Sequence, residues 1–145
     1  MRIDRLSSTT SSRLMVVAAD ATLQAVALSL SNPGTGLVIV RNGDGKAVGV
    51  LSKSDLIRHL TESDVREGSV ATLMSTDIIA CSPEDELGAV WETMVMRRLQ
   101  NMPVLAADKT PLGILDIRDA MRALLEQEEL QEHMLTDYIT GVGYQ

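Results

Sequence analysis

The chain has 145 residues, 45% of them hydrophobic and 2% aromatic, and it carries a net charge of −7 with a pI near 4.7. This length allows one compact unit or two small halves that share a core. The acidic balance excludes a broad electrostatic footprint on nucleic acid or on an anionic membrane. The single cysteine, Cys81, excludes an internal disulfide, and we expect a cytoplasmic protein.

The first half of the chain predicts a strand, a helix, two strands and a second helix. A short apolar strand at Leu14–Val17 precedes a helix from about residue 20, in which apolar residues recur at helical spacing. Strands at Leu37–Val40 and Ala47–Leu51 are joined by the sequence NGDG at residues 42–45, a strong tight-turn signal. The second helix opens near Asp55. This unit therefore has the order β-α-β-β-α.

The second half predicts the same elements after a short polar linker at residues 62–69. A strand at Ile78–Cys81 precedes a helix from about residue 83, where Ser82–Asp85 supplies an N-cap, a proline and two acids for the first turn. Strands at Met102–Leu105 and Leu112–Leu115 follow, and a last helix opens near Asp119.

The two halves are copies of each other. Positions 15–60 align with 79–124 at a constant offset of 64 residues, without a gap and with ten identities. The clearest echo is GVLSKSD at residues 49–55 against GILDIRD at 113–119. A fixed period indicates a duplicated supersecondary unit. We predict an α/β (α+β) fold of two β-α-β-β-α repeats packed by pseudo-two-fold symmetry. The division is 1–61 for the first repeat, 62–69 for the linker, 70–125 for the second repeat and 126–145 for a helical tail.

A resemblance to a known family follows from the second copy. Within Met102–Asp119 an apolar residue, Pro and Val are followed by Leu-Gly-Ile-Leu and an Asp four residues later. This phrase and the order of elements resemble a cystathionine-β-synthase (CBS) domain, and two in tandem resemble a CBS pair, or Bateman module. The similarity extends from about Ile3 to Leu125. The tail is similar to the C-terminal helix of small stand-alone bacterial CBS-pair proteins.

The echoed heptapeptides have two interpretations. Ser52 with Asp55, and Asp116 with Asp119, each fit a helix N-cap followed by an acid at the third helical position. This structural interpretation alone would explain both acids. Alternatively, the glycine that opens each heptapeptide allows close approach of a ligand, and a strand end that feeds a helix N-terminus favours an anion. Both interpretations remain open at this point.

The resemblance gives the second interpretation its chemistry. It implies adenosine-containing ligands (AMP, ADP, ATP, NAD or S-adenosylmethionine) in two clefts between the repeats, as regulatory ligands rather than required cofactors. Asp55 and Asp119 would accept hydrogen bonds from the ribose hydroxyls, and Ser52 would help to bind phosphate. Asp116 replaces that hydroxyl in the second repeat, where the neighbouring Arg118 could offset its charge. The full candidate set is Ser52, Ser54, Asp55, Arg98, Asp116, Arg118 and Asp119.

No catalytic constellation is present in the sequence. His59 and His133 lie far apart without ligand spacing, and Cys81 has no base nearby in sequence, so we expect neither a zinc site nor an enzyme. We expect a module that senses adenosine nucleotides and signals occupancy to an unidentified protein partner. The alternative is an interaction scaffold whose clefts are vestigial.

The last helix carries an apolar stripe beside its acidic residues. The stripe consists of Met121, Leu124, Leu125, Met134, Leu135, Tyr138 and Ile139. A helix that projects beyond its repeat needs a cover for such a stripe. We therefore predict a homodimer.

Overall fold

The computed structural model describes residues 1–62 and 68–143, with side chains as far as residue 136. In chain order the elements are α1 (Ser7–Ser12), β1 (Val16–Ala18), α2 (Leu23–Leu30), β2 (Leu37–Arg41), β3 (Ala47–Ser52), α3 (Lys53–Glu62), α4 (Leu87–Met96), β4 (Asn101–Leu105), β5 (Pro111–Asp116) and α5 (Ile117–Gly143), with 3-10 turns at Ile3–Leu6 and Val70–Thr72. The predicted linker lies mostly outside the described residues, because it includes residues 63–67.

The two sheets repeat the same hairpin. Strand β2 pairs antiparallel with β3, and β4 pairs antiparallel with β5. Val40 faces Gly49 in the first hairpin and Val104 faces Gly113 in the second, and each register shifts by one residue directly after that valine. The hairpins therefore match down to their irregularity, which confirms the mixed fold of two repeats.

The strand predicted at Ile78–Cys81, the first of the second repeat, is shorter in the structure than the sequence predicts. β1 runs parallel to β2, and the N–H of Ile39 donates to the carbonyl of Met15 at 2.9 Å. The residue that corresponds to Ile39 is Pro103, which has no N–H to donate. The segment 78–81 is therefore reduced to one parallel bridge, from Cys81 to Val104.

The predicted start of α4 is also wrong. The helix begins at Leu87, and residues 82–85 form a separate turn in which the backbone N–H of Ser82 donates to the Asp85 carboxylate at 2.9 Å. The N–H of Leu87 donates instead to the carbonyl of Met1 at 2.8 Å. The carbonyl of Met1 thus accepts a hydrogen bond at the start of α4, where the sequence pattern predicted a local cap.

Among the residues that the structure describes, three apolar clusters form the core. The first repeat has its own cluster around Val26, Val38 and Leu51, and the second has one around Leu87, Met94 and Leu115. A third cluster joins the sheets through Leu37, Ile39, Ala47 and Ile114. Because the third cluster takes residues from β2, β3 and β5, the open faces of the two sheets cover each other.

Each repeat is completed by the segment that precedes the other repeat. Ile3 is 1% exposed and belongs to the apolar cluster of the second repeat, and its N–H donates to the carbonyl of Asp85 at 2.9 Å. Val70 is fully buried in the cluster of the first repeat, and its N–H donates to the carbonyl of Ala21 at 2.8 Å. The residues before β1 therefore pack on the second repeat, although the sequence groups them with the first. The domain boundaries stay a prediction.

The tail forms one continuous helix with the second repeat. Helix α5 extends from Ile117 to Gly143, and Leu125, Leu130, Met134 and Leu135 are exposed on it. Tyr138 and Ile139 of the predicted stripe lie outside the described side chains. Within the described ranges, no helix is both long and apolar enough to cross a membrane.

The strand glycines are the points where the crossing segments touch the sheets. A methyl group at Gly113 would lie 2.7 Å from the backbone carbonyl carbon of Thr10, in α1. At Gly49 the nearest atom would be the sulfur of the Met74 side chain. The first neighbour is backbone and the second is a flexible side chain, so the same substitution meets different resistance in the two repeats.

We predict that Gly113→Ala lowers the free energy of unfolding by about 1–3 kcal/mol, because α1 must move away from β5. Gly49→Ala should cost less, since the Met74 side chain can rotate. Gly43→Ala is the control, because no atom lies within 4 Å of a methyl group there. Urea unfolding followed by Trp91 fluorescence measures all three, and equal values for Gly113→Ala and Gly43→Ala would contradict the described packing.

Candidate functional site

At the first strand-to-helix junction, the side chain that caps the helix and the neighbouring carboxylate belong to different residues. The backbone N–H of Asp55 donates to the Ser52 hydroxyl at 3.1 Å, so Ser52 caps α3. The Asp55 carboxylate is about half exposed and forms an ion pair with Arg58 at 3.3 Å. The structural interpretation therefore accounts for Ser52, and the described contacts of the Asp55 side chain give it no capping role.

A cavity of about 750 Å³ opens beside this junction and is lined by both repeats. The first repeat contributes Ser52, Ser54 and Asp55, and the second contributes Arg98 and the residues up to Asn101. The structure thus brings four of the seven candidate residues together. The remaining polar lining includes Lys53, Arg58, Ser75 and Asp77. Their binding roles stay a prediction.

The backbone conformation of Arg98 is tied to its position at the cavity. Helix α4 ends just before it, and Arg98 adopts a left-handed conformation with φ of +56°. This conformation is uncommon for a residue with a side chain, and it turns the chain from α4 toward β4. The residues of that turn, Arg98 to Gln100, all line the cavity.

The second junction is built with a carboxylate where the first has a hydroxyl. Asp116 accepts the backbone N–H of Arg118 at 2.8 Å, and the Arg118 guanidinium binds both carboxylate oxygens, at 3.0 and 2.8 Å. Burial would raise the pKa of Asp116, but the hydrogen bonds and the charge of Arg118 outweigh it, so the pKa lies below its ordinary value. Arg118 thus offsets the charge of Asp116, as the sequence suggested.

Asp119 is buried and engaged by an arginine that the sequence analysis did not consider. Arg13 binds both carboxylate oxygens of Asp119, through Nε and through Nη2, the latter at 3.1 Å. Its Nη1 donates to the carbonyl of Gly34 at 3.0 Å. The hydrogen bond to Asp119 raises the pKa of Arg13, so the guanidinium stays charged. Arg122 adds a contact to Asp119 at 3.5 Å.

The candidate residues therefore form two separate groups. Asp116, Arg118 and Asp119 lie together with Arg13, while the other four line the open cavity. Arg13 was missed because it lies just before the aligned range and carries no motif. The residue that corresponds to it at the 64-residue offset is Asp77, with the opposite charge. This reversal of charge between Arg13 and Asp77 was the only sign in the sequence that the two junctions differ at this position.

Cys81 has the environment of a structural thiol. It is 5% exposed, and burial raises its pKa to about 12. In the ranges that the structure describes, no group of three or more His, Cys, Asp or Glu side chains is arranged to hold a metal ion.

Two sequence-related repeats, joined face to face, each with a strand-to-helix junction and with a cavity beside the first junction, define a tandem-repeat module. The model of the CBS domain matches residues 6–62 and 70–126. The chain therefore belongs to the CBS domain family, as a tandem pair. Such pairs are regulatory modules, so the chain is not an enzyme.

Known proteins resemble the chain over most of its length. A 17.7 kDa uncharacterised protein from Acidianus ambivalens is 21% identical over 96% of this chain and 84% of its own. The CBS pair of protein MJ0100, solved with 5′-methylthioadenosine and S-adenosyl-L-methionine, has a TM-score of 0.75, with 16% identity over 88% of this chain and 98% of its own. A CBS domain protein from Pyrobaculum aerophilum, solved with AMP, has a TM-score of 0.73, with 21% identity over 82% of this chain and 89% of its own.

We predict a pH-dependent role for Asp116 in stability. Because its pKa in the folded protein lies below the ordinary 3.8, its stabilising effect is complete above pH 3.8 and is lost as the pH falls through the lower value. At neutral pH, Asp116→Asn should cost about 1.5–3 kcal/mol, the value of a charged hydrogen bond.

The difference between wild type and Asp116→Asn should therefore stay constant from pH 5 to about pH 4 and shrink as the pH is lowered from there to about 2. Urea unfolding at each pH measures it. The exposed Asp20→Asn variant controls for the change in net charge. A difference that also stays constant below about pH 4 would show that Asp116 does not act through its ionised form.

Proposed function

We propose that the chain is a regulatory module that binds an adenosine-containing nucleotide in the cavity beside Asp55 and signals its occupancy to a protein partner. The observation that carries this proposal is the cavity itself, whose lining comes from both repeats and includes the Asp55 carboxylate. Its volume of about 750 Å³ falls in the range of small-molecule sites. The ligands of the MJ0100 pair and of the Pyrobaculum protein support the adenosine class.

The lining offers a partner for each part of such a ligand. The Asp55 carboxylate accepts two hydrogen bonds and donates none, which suits the two hydroxyls of a ribose. Ser52 and Ser54 provide hydroxyls for a phosphate, and Arg98 and Lys53 provide positive charge. Apolar surface for a base comes from Leu37, Val50, Ile79 and Pro103. With so few cations in the lining, an AMP-like ligand or NAD is a better match than a triphosphate.

Signalling would follow from the position of the cavity between the repeats. A ligand that contacts both repeats stabilises the relative arrangement in which it binds best. Only this difference in affinity can shift the population of arrangements and so inform a partner. The site would operate in the cytoplasm, a location supported by the presence of only one cysteine.

The competing function is an interaction scaffold without a ligand. The engagement of Asp116 and Asp119 by arginines favours it, because these carboxylates are already satisfied within the protein. A scaffold would leave Asp55 with no role beyond its contact with Arg58.

We predict that Asp55→Asn weakens AMP binding about ten- to a hundredfold, since one charged hydrogen bond contributes roughly 1.5–3 kcal/mol. Its cost in stability should stay below about 1 kcal/mol, because the cap at Ser52 remains and the interactions lost are an exposed ion pair with Arg58 and a contact with the helix dipole. Isothermal titration calorimetry and urea unfolding of the same samples measure the two effects.

Asp44→Asn is the matched control, since it removes the same charge from an exposed hairpin turn. It should leave AMP binding unchanged. The 2′,3′-dideoxy analogue of AMP should bind wild type poorly and should distinguish little between wild type and Asp55→Asn. If Asp55→Asn only unfolds more easily and binds both nucleotides as wild type does, Asp55 has a structural role and the scaffold is favoured.

We also propose that the chain forms a homodimer through exposed apolar side chains on its helices. Leu28 is 75% exposed on α2 and Met96 is 84% exposed at the end of α4. On α5, Leu130, Met134 and Leu135 are each about 60% exposed. A second copy of the chain would cover these side chains. The favourable burial of their apolar surface would offset the conformational freedom that the side chains lose at the interface.

Sedimentation at micromolar concentration should therefore show a species of twice the 15.7 kDa chain mass. Truncation after Leu125 should weaken this dimer, because it removes the projecting part of α5. A monomer under these conditions would contradict the proposal. An unchanged dissociation constant after truncation would place the interface on the helices of the repeats instead.

A further inference from the structure

The two strand-to-helix junctions differ more than their sequences suggest. At the 64-residue offset, Asp55 corresponds to Asp119 and Arg98 corresponds to Gly34. In the first cleft, Asp55 and Arg98 both line the open cavity. At the second junction, a single side chain joins the corresponding positions, because Arg13 donates hydrogen bonds to the Asp119 carboxylate and to the Gly34 carbonyl.

The guanidinium of Arg13 uses the same atoms that a ribose would need. Its Nε and Nη2 donate to the two oxygens of Asp119, which is the arrangement expected of a diol that donates two hydrogen bonds to one carboxylate. Asp119 is 5% exposed, whereas about half of the Asp55 side chain is exposed. A ligand could reach Asp119 only after Arg13 had left it.

Packing holds Arg13 in place. It follows α1 directly, and its backbone N–H donates to the carbonyl of Thr10 at 3.3 Å. Thr10 is itself buried against Gly113 of β5. The arginine therefore reaches Asp119 from a helix that is fixed to the adjacent strand.

The first cleft cannot be closed in the same way. The residue that corresponds to Arg13 is Asp77, which lines the first cavity together with Asp55. Two carboxylates repel each other, so Asp77 cannot replace the ligand at Asp55.

We propose that Arg13 determines which cleft binds, by closing the cleft of Asp119 and confining ligand to the cleft of Asp55. The proposal rests on the proposed function for the nature of the ligand. Arg13 acts as an internal competitor for the ribose site, and the chain carries one nucleotide instead of two. Removal of the guanidinium opens the second cleft to an adenosine.

The test is the number of ligands bound per chain, measured by equilibrium dialysis with radiolabelled AMP and, separately, radiolabelled adenosine up to millimolar concentration. Four proteins are compared: wild type, Arg13→Ala, Asp55→Asn and the double variant. We expect one ligand for wild type and two for Arg13→Ala. Asp55→Asn should bind its one ligand about ten- to a hundredfold more weakly than wild type, and the double variant should bind one ligand in this weakened way and a second at Asp119. Arg13→Lys keeps the positive charge and is the matched control, with one ligand expected.

The comparison separates this proposal from the proposed function. The number of ligands bound by wild type measures binding at Asp55. The additional ligand bound by Arg13→Ala measures binding at Asp119. No ligand on wild type but one on Arg13→Ala would support the closure by Arg13 and contradict the site at Asp55. Two ligands on wild type, or no increase on Arg13→Ala with either probe, would overturn the closure.

Folding of each variant is checked by the fluorescence of Trp91, the only tryptophan, which packs against the second core. Arg122 stays near Asp119 when Arg13 is removed, which limits the cost of an unpaired buried carboxylate. Arg13→Met preserves the apolar stem and replaces the alanine variant if that variant unfolds. The wild-type count needs no variant, and a value of two overturns the proposal by itself.

Discussion

The structure depends on the exchange of two short segments between the repeats. Ile3 completes the core of the second repeat, and Val70 completes that of the first. Each segment then crosses a strand at a glycine, where Thr10 meets Gly113 and Met74 meets Gly49. Neither repeat buries its core without the chain that precedes the other, so we expect the two repeats to unfold as one cooperative unit.

The sequence was sufficient for the elements whose pattern is local. Alternating and continuous apolar runs placed all four hairpin strands to within about a residue, and the 64-residue period placed them in matching order. It failed where a partner distant in sequence decides the structure. Pro103 removes the bond that would extend the strand at Cys81, and the carbonyl of Met1 replaces a local cap before Leu87. Such contacts leave no periodic signal.

The candidate site divides in the same way. Ser52, Ser54 and Asp55 belong to one motif, and the strand-to-helix junction brings them together without help from the rest of the fold. Arg98 joins them only because the repeats pack face to face. Arg13 lies outside both motifs and reaches Asp119 through the crossing segment, so only the assembled fold reveals it. A duplicated motif therefore predicts two similar junctions, but not two similar clefts.

The exchange of segments also orders events during synthesis. Residues 1–13 are synthesised before the residues that they contact in the second repeat, since the N–H groups of Ile3 and Asp4 donate to the carbonyls of Asp85 and Pro83. These acceptors are present only once most of the second repeat has been made. Contacts so distant in sequence form late and slow the folding of a domain. The segment that carries Arg13 is therefore among the first parts to be synthesised and among the last to reach its final place.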